Sequence, residues 1–397
     1  MILFVLQTDT GLSHVALNAF RKSLCGALQK ICVSIALLGL TACAGWGGRD
    51  SVAEPLDPKP FQVLINAGIE RYLGVYSPIL VTEVQGTLTH EFGVGDGPLC
   101  IDGGAYIMST RNLDSEDLLI YLSGGGLCWE AFCLTRRIAD PEIPNSGVLS
   151  LDDAQNPFAE MSTVYVPYCD GGAHISDNAV DVNNNGNTNR YLRGLRNLSA
   201  ALDVSEGQFP SPKRVVLIGA SAGGVGTLFA LPLVRQVYPD VPILVLNDSG
   251  IGLTAPANEA FRHHLVDYWN FEAFVPENCP DCFADGTPTA YLDWQLREDP
   301  QMQLGLLSYT QDVAMSEFYL KLGRTNYEKL LRSTVARLEA SHPGRVSSFI
   351  PTGQRHTILP LSLDVEAHGV RISTWLSQLL NEPGREWQSQ IDPQAAE

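Results

Sequence analysis

Positive charge is what this 397-residue chain has least of: 26 lysines and arginines face 44 aspartates and glutamates, a formal net charge of −18. So acidic a surface repels nucleic acid and anionic membranes, which excludes functions that need a basic face. Long apolar runs are missing too, since the run Ile31 to Leu40 falls short of a bilayer span. No internal repeat and no domain-sized shift in composition divides the chain. Cys279-Pro-Asp-Cys282 has no second Cys-x-x-Cys with which to complete a zinc knuckle. What is there is apolar in bulk, 45% hydrophobic with a mean hydropathy near zero, as for a globular protein with a large core.

The amino-terminal segment stands apart. Arg21, Lys22 and Lys30 precede the run Ile31 to Leu40, and Leu40-Thr41-Ala42-Cys43 follows. A basic region, a short apolar stretch and small residues at a cleavage site make a secretory signal over 1–42. Leu-Thr-Ala-Cys also resembles the lipobox of bacterial lipoproteins, which makes Cys43 the lipidated first residue of the mature chain. Residues 1–20 fit no signal pattern. Removing 1–42 takes away three of the 26 basic and one of the 44 acidic residues, leaving a net −20. Cys25 and Cys32 leave with the signal. Six cysteines remain besides Cys43, an even number that in an exported chain reads as three disulfides, with Cys279–Cys282 as a small-loop pair. The chain is therefore expected to be exported and held at the cell envelope by lipid on Cys43. Residues 43–60, rich in glycine and proline, read as a tether, 61–385 as a single catalytic domain, and 386–397 as a flexible tail.

Within that domain, apolar strands are expected at Leu118–Leu122, Thr163–Val166, Arg214–Ile218, Pro242–Leu246, Leu304–Ser308 and Val346–Ile350. Helices fit 191–204, 222–237, 313–340 and 364–381. Continuous apolar strands alternating with helices predict an α/β protein, a mostly parallel sheet covered on both faces.

Chemistry enters at Gly219-Ala220-Ser221-Ala222-Gly223. A β-branched strand, Gly-x-Ser-x-Gly and a small-residue helix in succession form a nucleophile elbow, which projects a serine hydroxyl at the carboxyl edge of a sheet. Such a serine needs an acid and a histidine later in the chain, each beyond a strand end. Of the later histidines, His263 and His264 fall in a helix, His342 begins a turn and His368 lies in the carboxyl-terminal helix. His356 follows the strand Val346–Ile350 by a short loop and fills the slot. Two acids compete. Asp248 ends the strand after the elbow helix, and Asp312 follows the next strand, in the position that usually supplies the acid. The plain readings are a turn-former for Asp248 and a helix N-cap for Asp312. Finally, Ser123-Gly124-Gly125-Gly126-Leu127 ends another strand, where glycines let backbone N–H groups face a developing oxyanion. The N–H of Ala222 would be the second donor.

Five segments then occur in order: Gly124-Gly125-Gly126-Leu127-Cys128-Trp129, Pro167-Tyr168-Cys169-Asp170-Gly171, Arg190-Tyr191-Leu192-Arg193-Gly194, Gly219 to Gly224, and Asn247-Asp248-Ser249-Gly250. Together they resemble the pectin acetylesterase family, which includes the Notum-type carboxylesterases, over about residues 70 to 362. The resemblance implies an α/β-hydrolase fold and ester hydrolysis by Ser221, Asp312 and His356. It puts the oxyanion donors on Gly125, Gly126 and Ala222, and gives Asp248 a structural place. It also implies disulfides Cys100–Cys169 and Cys128–Cys133. Two positions depart from the family pattern: Met315 stands where a glutamine is usual, and Pro351 to Arg355 holds no cysteine.

The expectation is a serine esterase without cofactor or metal that removes acetyl groups from a polysaccharide. It would act as a monomer, without nucleic-acid partners, touching a membrane only through its lipid. Two alternatives are a carboxylesterase for longer acyl esters and an inactive hydrolase fold used for carbohydrate binding or adhesion. Asp181-Val182-Asn183-Asn184-Asn185-Gly186 opens like an EF-hand loop, but Leu192 occupies the position that needs a bidentate glutamate, so a polar surface loop is expected.

Overall fold

The six apolar strands are continuous runs because both of their faces are buried. Along Arg214–Ala220, Val215 and Leu217 join the core on one face of the sheet, while Val216 and Ile218 join the core on the other. Ile243, Val245, Leu244 and Leu246 divide in the same way on the next strand. This is the pattern of a sheet covered on two sides. The protein is seen here in a computed structural model, which describes residues 59–253, 259–283, 289–381 and 387–394. The signal, Cys43 and the tether up to residue 58 lie outside the described residues.

In chain order the elements are the helix α1 (Gln62–Asn66) and the strands β1 (Leu80–Val84), β2 (Thr87–Glu91), β3 (Ile107–Arg111), β4 (Asp117–Leu122), β5 (Gly126–Trp129), β6 (Phe132–Thr135), β7 (Ser162–Val166), β8 (Asn178–Val180) and β9 (Arg190–Leu192). Then come α2 (Gly194–Gln208), β10 (Arg214–Ala220), α3 (Ala222–Val237), β11 (Ile243–Asp248), α4 (Glu259–Trp269), α5 (Thr289–Glu298) and β12 (Met302–Leu307). A π-helical turn (Ala314–Tyr319), α6 (Arg324–Ser341), β13 (Val346–Ile350), β14 (Glu366–Ala367), β15 (Val370–Arg371), α7 (Ile372–Asn381) and β16 (Gln390–Ile391) complete the chain.

The main sheet runs β1-β2-β3-β7-β4-β10-β11-β12-β13-β16, antiparallel from β1 to β7 and parallel from β7 to β16. Leu195, Leu198 and Leu202 of α2 and Leu228 and Leu231 of α3 pack on one face, and Trp375, Leu376 and Leu379 of α7 on the other. This mostly parallel sheet with helices on both faces is an α/β-hydrolase fold. All three disulfides, Cys100–Cys169, Cys128–Cys133 and Cys279–Cys282, are formed. Among the described residues no helix is long and apolar enough to cross a membrane, and no cluster of acidic, histidine and cysteine residues could hold a metal ion.

Several boundaries differ from the sequence reading. Residues 313–340 are not one helix: the chain makes a π turn, and Gly323, at φ 74°, resets it before α6. The carboxyl-terminal helix begins only at Ile372, because Glu366–Arg371 forms a hairpin whose turn holds His368 and Gly369 at positive φ. Residues 190–192 form β9 rather than the start of a helix. Within the segment read as a flexible tail, Trp387 is buried and Gln390–Ile391 extends the parallel sheet beside β13.

Candidate active site

Ser221 is the single residue between β10 and α3. Its φ of 58° and ψ of −120° are a conformation that a side chain normally avoids, held here by the surrounding packing. Its own N–H is bound to the carbonyl of Asp248 at 2.8 Å. The turn is crowded: a Cβ on Gly223 would lie 2.0 Å from the Leu122 carbonyl oxygen. One on Gly124 would lie 2.5 Å from the Ala220 oxygen. Only glycine lets the loop after β4 pass so close to the serine.

The loops after β12 and β13 supply the other two groups. Backbone bonds lace these loops together, from the N–H of Thr310 to the Pro351 carbonyl (3.0 Å), Gln311 to Gly353 (2.9 Å) and Val313 to Gln354 (3.2 Å). This brings His356 between the serine and an acid. Its Nε2 lies 2.7 Å from Ser221 Oγ, and its Nδ1 lies 2.7 Å from Asp312 Oδ2. With the Nδ1 proton donated to the carboxylate, Nε2 is free to accept the serine proton. Asp312 is fully buried, and its second oxygen accepts the N–H of Met315 at 3.1 Å. One oxygen thus meets the backbone of the π turn and the other the imidazole.

Asp248 takes a different place. Its Oδ2 accepts the N–H groups of Ile358 and Leu359, each at 2.7 Å, and its Oδ1 accepts the Ser249 hydroxyl at 3.2 Å. Burial pushes its carboxyl up to about 6, against the pull of those hydrogen bonds and of His356. The remaining histidines go elsewhere. His264 approaches Glu130 at 3.7 Å, His342 bonds Asp293 at 2.7 Å, and His368 sits in the β14–β15 turn. His263 lies in α4.

Gly124, Gly125, Gly126 and Ser221 line one cleft of about 600 Å³. Ala222, the first residue of α3, has an N–H without an intrahelical acceptor, at the positive end of the helix dipole. The structure therefore brings Ser221, His356 and the glycine loop to one space, with Asp312 bonded to the imidazole. Sequence reasoning missed the walls of that space. Tyr121 and Tyr165, stacked with ring centroids 5.9 Å apart, line it, as does Arg136 on the outgoing end of the β5–β6 hairpin. Among the described residues Arg136 makes no side-chain ion pair, and its charge acts on Tyr165. Strand alternation places Tyr121 near the carboxyl end of β4, a signal that could have pointed to it. The loop at 181–189 joins β8 to β9, with Asp181 accepting the backbone N–H groups of Asn183 and Gly186, and Leu192 is buried in β9.

The chain is similar to known esterases over part of its length. A family model described as pectinacetylesterase matches residues 87–281. Pectin acetylesterase 4 of Arabidopsis thaliana is 30% identical over 205 residues, 46% of this chain and 49% of that one. The palmitoleoyl-protein carboxylesterase notum1' of Xenopus laevis is 25% identical over 226 residues, covering 47% and 44%. The palmitoleoyl-protein carboxylesterase NOTUM of Schmidtea mediterranea is 28% identical over 154 residues, covering 34% and 28%. The match spans half or less of each relative's length. Ser221 and the glycine loop fall inside the family match, whereas Asp312 and His356 lie beyond it.

Proposed function

Residues 87–281 belong to the pectinacetylesterase family, and from that premise we propose that this protein is a serine esterase that removes acetyl groups from a polysaccharide. The observation that supports it most is the pair of 2.7 Å contacts through which His356 bridges Ser221 and Asp312. Ser221 Oγ attacks the ester carbonyl carbon as His356 Nε2 takes its proton. Asp312 keeps the imidazole oriented and stabilises the imidazolium. The N–H groups of Gly125, Gly126 and Ala222 meet the oxyanion. Collapse of the tetrahedral intermediate expels the sugar oxygen, which takes the proton from His356 and leaves an acetyl-serine. Water, activated by the same histidine, then releases acetate.

The presence of all three groups in bonding contact speaks against an inactive carbohydrate-binding module. Arg136 in the cleft lining suits a polar saccharide better than a hydrocarbon chain. A second reading, hydrolysis of longer acyl esters, draws support from the exposed apolar rim of Leu134, Phe318 and Leu361. Ser221→Ala is expected to lower kcat on p-nitrophenyl acetate at least about a thousandfold. Retained turnover would refute the serine mechanism. Faster hydrolysis of the octanoate than of the acetate ester by the wild type would favour the second reading.

The segment before residue 59 is proposed to export the chain and anchor it by lipid on Cys43. Cys43→Ser should then move the protein out of the membrane fraction or leave the precursor uncleaved. Unchanged membrane association would refute the anchor.

A further inference from the structure

A second histidine lies behind the glycine loop, outside the cleft. His174 is fully buried, and its Nε2 sits 2.9 Å from the carbonyl oxygen of Ser123, the residue that opens Ser123-Gly124-Gly125-Gly126. A carbonyl only accepts, so the proton is on Nε2. Burial lowers the affinity of the ring for a second proton, against the pull of the Asp170 charge and the Ser123 bond, which keeps the imidazole neutral.

The surroundings fix this ring in place. Ala173 and His174 both have left-handed backbone, at φ 54° and 65°. Two successive residues of that kind persist only where packing dictates them. The ring lies against Tyr168, centroids 4.9 Å apart, and the Tyr168 hydroxyl accepts the Ala173 N–H at 3.0 Å. The Tyr168 N–H in turn donates to Ser123 Oγ at 2.9 Å. On the other side the imidazole meets the elbow helix α3: a Cβ on Gly226 would lie 3.1 Å from His174 Cδ2. One neutral ring is thus wedged between the two elements that carry the backbone donors, the glycine loop and α3.

We infer that His174 is a positioning residue for the oxyanion hole, its Nε2–H holding the Ser123 carbonyl so that the Gly124–Gly126 N–H groups face the serine. The hydrogen bond fixes the direction of the Ser123–Gly124 peptide plane. Without it, that carbonyl is free to rotate toward the cleft and turn the following N–H groups away from the reacting carbonyl. Donors aimed at the oxyanion act in the transition state, so their misalignment should lower kcat and leave KM nearly unchanged. Asp170 supports the same turn through its Oδ2, which accepts the Gly172 N–H at 2.8 Å and the Ser176 hydroxyl at 3.2 Å.

The inference rests on the esterase reading, and its test uses two amide variants of the full chain. His174→Gln places an N–H donor at about the reach of Nε2. His174→Asn places one only at the reach of Nδ1, too short for the Ser123 carbonyl, and asparagine tolerates left-handed backbone well. With p-nitrophenyl acetate, His174→Asn should lower kcat about 10- to 100-fold with KM within about threefold, as when donors shift by an ångström. His174→Gln should recover most of that loss. The rate at which a fluorophosphonate modifies Ser221 should follow kcat, because its phosphoryl oxygen uses the same donors. A His174→Asn kcat within about threefold of wild type would overturn the inference, as would equal losses in both variants that track their melting temperatures. Turnover that survives Ser221→Ala removes the esterase reading and this inference with it. An inactive Ser221→Ala beside a fully active His174→Asn removes this inference alone.

Discussion

Two aspartates stand at or just beyond the carboxyl ends of neighbouring parallel strands, both fully buried, and their carboxylates meet different partners. Asp248 closes β11 and turns its carboxylate onto backbone, the N–H groups of Ile358 and Leu359 just past His356. Asp312, on the loop after β12, turns its carboxylate onto the imidazole itself. Burial and strand-end position are common to both, so neither property decides which acid orients the base. Reach decides it. Asp312 sits on a loop laced to the histidine loop by three backbone bonds, while Asp248 is held at the strand end and its carboxylate meets the Ser249 hydroxyl and the backbone that follows His356. Asp248 is thus a brace: its carbonyl holds the Ser221 N–H and its carboxylate holds the far side of the histidine loop.

The sharpest way to break this comparison is to remove charge from each acid in turn. Asp312→Asn should have the largest effect. An asparagine amide would donate to Nδ1, leaving the imidazole proton on Nε2, where it faces Ser221 Oγ in the wrong tautomer. Turnover should fall about 10³- to 10⁴-fold with the fold intact. The check is kcat on p-nitrophenyl acetate beside a melting curve. If Asp248→Asn gave that loss and Asp312→Asn did not, the roles would be exchanged.

That ambiguity was already present in the sequence, and its cause is physical. The elbow is legible because its strand, turn and helix are contiguous, and crowding around the turn restricts it to small residues. His356 is legible because it follows a strand by a short loop. The choice between Asp248 and Asp312 is less so, because strand ends locate both and only the tertiary lacing of two loops separates them. The antiparallel strand β1 gave little signal for a related reason. Every residue of β1 is exposed, so no buried face imprints an alternation on its sequence. His174 passed unnoticed because it precedes the serine in the chain and touches the cleft only through the carbonyl of Ser123. Its one signal was local: a histidine directly after the glycine-containing segment Asp170-Gly171-Gly172-Ala173.

A smaller, different effect is expected at Asp248. Asp248→Ala leaves two buried N–H groups without an acceptor, at about 1–3 kcal/mol for each unsatisfied group. The denaturation midpoint should drop accordingly, while kcat falls less than about tenfold. A loss of turnover as large as that of Asp312→Asn, at unchanged stability, would contradict the brace.

The smallest effect lies in pH. The Asp248 carboxyl is pushed up to about 6 by burial, from an ordinary value of 3.8. Between roughly pH 4 and 6 the unfolded chain has lost this proton while the folded chain still holds it. The unfolded state then binds fewer protons, so this group's contribution to stability declines as pH rises through the window and is level above it. Asp248→Asn cannot titrate. Its stability relative to wild type, measured by chemical denaturation at about pH 4 and pH 7.5, should therefore improve toward the higher pH. A relative stability that stayed the same at the two pH values would mean that burial does not hold the Asp248 proton as the structure implies.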